Sequence, residues 1–125
     1  MTENVREIHC GYVSASEFGG DHFQALFAKT QESDVDDDYV LVQRQFEMPD
    51  DGKCYVETND RDNCGHFVIR NARLTRNQLE FEIGNRPARR IKVSFEATDS
   101  AYADMKRTLQ IMIPDLEFLQ PSWPK

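Results

Sequence analysis

The chain has 125 residues, enough for one domain with one buried core, and is 39% hydrophobic, 30% charged and 10% aromatic, the composition of a globular rather than a disordered chain. A formal charge of −7 argues against a nucleic-acid binder, because neutralising phosphates needs a net basic surface. The longest apolar runs are only a few residues, so no membrane-spanning helix is expected. The N-terminal MTENVREIHCGY lacks the basic-then-apolar order of a signal peptide, so the expected compartment is the cytoplasm, with Cys10, Cys54 and Cys64 reduced.

In chain order, REIHCGYV and HFQALFAKT both read as strands, although Phe23, Leu26 and Phe27 also fit one face of a helix. The acidic run ESDVDDD comes next. Residues 32–62 carry eleven acids against three bases, a local charge of −8, while residues 70–92 carry seven bases and two acids. YVLVQRQF (39–46) begins apolar and ends polar, and Pro49-Asp50-Asp51-Gly52 then supplies turn chemistry before CYVET. A four-residue loop there would set Arg44 opposite Glu57 and Phe46 opposite Tyr55. On that register Arg44 and Glu57 form a structural pair on one face, and Gln43 and Gln45 need no catalytic task.

HFVIRNARL (66–74), LEFEI (79–83) and IKVSF (91–95) read as an antiparallel meander, with Leu79, Phe81, Ile83 and then Ile91, Val93, Phe95 alternating with polar residues. Gly84 to Pro87 supply the last turn. A helix follows, capped by Asp99 or Ser100, with Tyr102, Met105, Leu109, Met112 and Ile113 on one face, and Pro114 stops it. The expected fold is α+β, an antiparallel sheet of about six or seven strands with one C-terminal amphipathic helix packed on it. Residues 1–125 form a single domain, with a sheet-and-helix core over 36–113 and a docked tail over 114–125.

The chemistry-bearing residues are sparse. Cys54, Cys64 and His66 are grouped, which raises a small metal-binding or hydrolytic domain as an alternative. Nine residues separate the two thiols, however, and zinc sites favour close ligand pairs, so no metal or cofactor is expected. Asp34, Asp36 and Asp38 take positions 1, 3 and 5 of a calcium loop, but Tyr39 and Gln45 stand where glycine and glutamate belong. With no glycine-rich phosphate loop and no nucleophile elbow, the reading is a non-enzyme.

The order of YVLVQRQ, CYVETND, GHFVIRNARLTRNQLEFEI, IKVSFEAT and the helix around Met105 to Ile113 resembles the immunity protein 10 family of bacterial polymorphic toxin systems. The matching features are Gln43-Arg44, Tyr55-Val56-Glu57, Asn59-Asp60, Gly65 and the strands and helix of 68–113, about 75 residues in all. The resemblance implies a cytoplasmic protein that neutralises a cognate toxin domain by stoichiometric contact, without turnover or cofactor. Many such toxins are nucleases with basic clefts. Asp34, Asp36, Asp37 and Asp38, then Asp60 and Asp62, are the expected partner-binding acids. The same acids could equally be solvated surface that keeps the protein soluble. A further alternative, a structural subunit or homodimer joined by a sheet edge, is compatible with the role.

Overall fold

The computed structural model describes residues 5–30, 37–46, 52–84 and 89–118, the side chain of Asp62 excepted. The elements are β1 (Val5–Cys10), β2 (Tyr12–Phe18), β3 (His22–Ala28), β4 (Tyr39–Gln45), β5 (Cys54–Thr58), a single 3-10 turn (Arg61–Asn63), β6 (Gly65–Phe67), β7 (Arg70–Leu74), β8 (Gln78–Ile83), β9 (Arg89–Phe95), α1 (Asp99–Met112) and β10 (Glu117–Phe118). The α+β class with one helix holds.

The number of sheets differs from the expectation. The described strands divide into two five-stranded sheets, sheet I in the order β1-β9-β8-β7-β10 and sheet II in the order β2-β3-β4-β5-β6. Two short joints carry the chain between them. Gly11 separates β1 from β2; its N–H donates to the Lys29 carbonyl at 3.2 Å, and a Cβ there would lie 3.0 Å from that oxygen. Val68 and Ile69 separate β6 from β7, splitting what the sequence presents as one strand. The described part of the N-terminal third is three strands, β1 to β3, and no helix. It belongs to the core, which therefore starts well before residue 36, with Ile8, Val13, Ala25 and Phe27 buried beside Val40, Phe81 and Val93.

The meander β7-β8-β9 is antiparallel as the alternation requires, and β1 and β10 flank it in parallel. Alternation also sets which face is buried. Leu79, Phe81 and Ile83 of β8 and Val40 and Val42 of β4 have no exposed surface, whereas their neighbours face water. The helix packs against β2 and β3 and buries Met105, Thr108, Leu109 and Met112 in the core shared by both sheets. Its N-cap is Thr98, one residue before the expected Asp99: Thr98 Oγ1 accepts from the Ala101 N–H at 3.1 Å. Asp99 instead sits in the first turn and pairs with Arg76 at 2.9 Å. Beyond Ile113, Leu116 is buried and β10 docks on β7; residues 119–125, with Trp123, lie outside the described residues.

Candidate recognition face

The β4–β5 hairpin decides what the second sheet shows to solvent. Its register pairs Val40 with Thr58, Leu41 with Glu57, Val42 with Val56 and Gln43 with Tyr55. The expected pairing of Arg44 with Glu57 is therefore corrected. The register moves by three from the expected one, and an odd shift sends the two side chains to opposite faces; residues 47–51, most of the expected turn, lie outside the described residues. The buried valines set this outcome, because Val40, Val42 and Val56 must share the face turned to the core. Arg44 lies on that inner side. Its Nη1 donates to the Met112 carbonyl at 2.7 Å, at the C-terminal end of α1, and its guanidinium stacks on Phe46, 4.5 Å from the ring centre.

Glu57 lies on the outer side, where Tyr39 and Tyr55 both donate their hydroxyls to it, to Oε2 and Oε1, each at 2.7 Å. These two hydrogen bonds hold the carboxyl below its ordinary range. The tyrosines move the other way. Burial and the bond to Glu57 raise Tyr39, and the bond to Glu57, then burial, raises Tyr55. Successive registers align Ser16, Gln24, Gln43, Tyr55 and His66 in one row across the five strands, and Ser14, Leu26, Leu41 and Glu57 in the next. Gln43 donates to Gln24 at 2.6 Å, and the rings of Tyr55 and His66 lie 5.2 Å apart. Within these rows Glu57 is the single carboxylate. A hollow of about 350 Å3 opens on this face among His22, Gln43, Gln45, Lys53, Tyr55 and His66.

The outer face of sheet I is a different kind of surface. Glu7, Lys92, Glu80, Arg73 and Glu117 form one row across five strands with alternating sign, and Arg90, Glu82 and Arg70 form a second. Arg90 lies 3.3 Å from Glu82 and 3.8 Å from Glu80. Asn71, then Arg90, keeps the Glu82 carboxyl below its ordinary range. Charges neutralised in this way are a solvated exterior.

The nominated acids meet varied fates. Asp34 and Asp36 lie outside the described residues, as does the side chain of Asp62. Asp38 is tied into the fold, accepting from Arg6 Nη2 at 2.8 Å and from Asn59 Nδ2 at 2.9 Å, and Asp37 is engaged as well. The main chain of Asp60 closes the corner after β5: its carbonyl accepts from Thr58 Oγ1 at 2.9 Å and from the Cys64 thiol at 3.4 Å.

The three residues of the metal alternative are kept apart. Cys54 faces the core and donates to the Met112 carbonyl at 3.6 Å, Cys64 is bound up in the 3-10 corner, and His66 is exposed on the outer face. Among the described residues no three His, Cys, Asp or Glu side chains gather as a metal site. A larger hollow of about 440 Å3 touches Cys10 at the β1 end of sheet I, but burial and the charge of Asp38 push that thiol up to about 11, away from nucleophilic chemistry. No helix among the described residues is long and apolar enough to cross a membrane. No family model, curated protein or solved structure matches this chain.

Composition draws attention to the acids and carries no sign of the tyrosine-and-glutamine face. The available signal was the period-two alternation itself. Tyr39, Leu41 and Gln43 interleave with Val40 and Val42, and Tyr55 and Glu57 interleave with Cys54, Val56 and Thr58, so one face of the hairpin had to be outward.

Proposed function

We propose that this chain is a stoichiometric binding protein, a cytoplasmic immunity-type inhibitor that covers a toxin domain with the outer face of sheet II. One observation carries the reading. α1 packs on the inner side of sheet II, where Met112 meets Arg44 and Cys54, so it leaves the outer face uncovered; the two central rows of that face hold one carboxylate, whereas the opposite exterior alternates charge along its rows. Docking there dehydrates amides, phenols and Leu41 at little cost, and tyrosines are the side chains on which binding energy concentrates. Glu57, held ionised between two phenols, is placed to receive a basic group of the toxin. The acidic segment that ends at Asp38 speeds the encounter with a basic cleft. Nothing in this role requires turnover, a metal or a cofactor.

The test is co-expression with the product of an adjacent toxin-like gene, read as rescue of growth and as a one-to-one complex in solution. Leu41→Asp and Tyr55→Ala should each weaken the complex about a hundredfold, or roughly 3 kcal/mol, and lower the rescue accordingly while leaving the circular dichroism spectrum intact. Lys92→Ala on the other sheet should change neither. Wild-type rescue by the Leu41 and Tyr55 variants would remove the face from the mechanism.

A further inference from the structure

Where β6 leaves sheet II for β7, Lys53, His66, Arg70 and Arg89 line one cavity of about 360 Å3 together with Phe67 and Val68. The cationic groups are positioned by the fold. Arg70 Nη1 donates to the Gly84 carbonyl at 2.7 Å, and the Arg89 guanidinium lies 5.6 Å over the Phe67 ring. Gly84 itself adopts φ +83°, a backbone conformation that side chains rarely take, and lies directly beside the Arg89 guanidinium.

The lining holds no carboxylate among the described residues. Neither Lys53 nor Arg89 has one within ion-pair distance among them, and Arg70 must share Glu82 with Arg90. Such a gathering is unexpected in a chain with 22 acids to 15 bases, whose neighbouring sheet sets acids and bases alternately along its rows. Arg70 and Arg89 both reach Gly84, and Lys53 lines the same cavity; like charges gathered in this way repel each other, and that repulsion is relieved when an anion enters.

We propose that this notch binds the phosphate group of a phosphate monoester, held by Arg70, Arg89 and Lys53, with the organic part lying on Phe67 and Val68. A phosphate carries a charge of about −1.5 to −2 at neutral pH, which offsets three cations better than the single charge of a carboxylate. Guanidinium forks match its oxygens in pairs. Val68, 39% exposed, and the half-buried Phe67 give the notch an apolar wall that a bare ion would leave unused. The notch shares Lys53 and His66 with the hollow on the tyrosine face but takes Arg70 and Arg89 from sheet I and Gly84 from the end of β8, so the assignment does not rest on what covers that face.

The experiment is a titration of the full chain followed by NMR, with phenyl phosphate, inorganic phosphate and benzoate as probes at matched ionic strength. Phenyl phosphate should give saturable shifts at His66, Phe67 and Gly84 and at the Arg70 and Arg89 side chains. Inorganic phosphate should bind the same residues at least about threefold more weakly, and benzoate at least about tenfold more weakly. Lys53→Gln and Arg89→Gln should each weaken phenyl phosphate about tenfold. Should Arg89→Gln unfold through loss of the Phe67 contact, Lys53→Gln alone decides. Unsaturable shifts matched by chloride, or variants that bind as the wild type does, would overturn the site. Benzoate binding as tightly as phenyl phosphate would overturn the phosphate assignment, and inorganic phosphate doing so would overturn the ester.

Discussion

Glu57 and its two tyrosines form a small unit whose protonation is linked to folding. In the unfolded chain Glu57 would ionise near its ordinary value of 4.5, and the folded chain keeps it charged to lower pH. Its stabilisation is therefore complete above about 4.5 and is lost as pH falls through the depressed folded value. The phenols behave oppositely: each has an ordinary value of 10.0 and is raised on folding, so their stabilisation is complete below about 10 and declines as pH rises beyond it. Glu57→Gln should lower stability at pH 7 by about 1 kcal/mol, since these hydrogen bonds are half-exposed, and should flatten the profile at both extremes. Urea denaturation from pH 3 to 11 measures this. Profiles that coincide for wild type and variant would mean that the Tyr39–Glu57–Tyr55 unit contributes nothing.

The hairpin and the helix show what a strand or helix takes from its neighbours. Arg44 reaches the end of α1 only because the valines set the register, and there its charge meets the negative end of the helix dipole. Arg44→Met should cost about 1–2 kcal/mol through loss of that bond and of the stacking on Phe46. Combined with Glu57→Gln, the two effects should add within about 0.5 kcal/mol, because the side chains lie on opposite faces. A coupling above about 1 kcal/mol in this cycle would restore the four-residue turn and its cross-strand ion pair.

The elements that were legible in the sequence are those whose period is unbroken. β8 and β9 alternate strictly, and α1 repeats Met105, Leu109 and Met112 on one face. The register of β4 on β5 was hidden because several loop lengths suit one run of turn residues. The second joint was hidden because Val68 and Ile69 look like continuing strand, with no glycine or proline to mark the break. The face of the candidate site was legible as alternation, but its chemistry was not, since Tyr39 and Tyr55 meet Glu57 only once the register is known.

At the scale of the whole molecule, both sheets and the helix bury their side chains in one cluster, with Phe27 of one sheet against Phe95 of the other at 5.5 Å between ring centres. Arg6 adds a polar tie across the joint, from β1 to Asp38 beside β4 and to Asn59 after β5. The parallel seating of β1 against β9 carries the longest reach in this architecture, since Val5 faces Arg90 and Cys10 faces Phe95. Closing a loop of that span draws on chain entropy that nearby hairpins do not spend. Pulsed hydrogen exchange during refolding should accordingly find β1 amides protected after those of β3 and β4; simultaneous protection would show that the sheets form together. During synthesis β1 leaves the ribosome without its neighbour and waits for β9, which follows only after β2 to β8 have been made, so one margin of that sheet stays bare while the other sheet can already close.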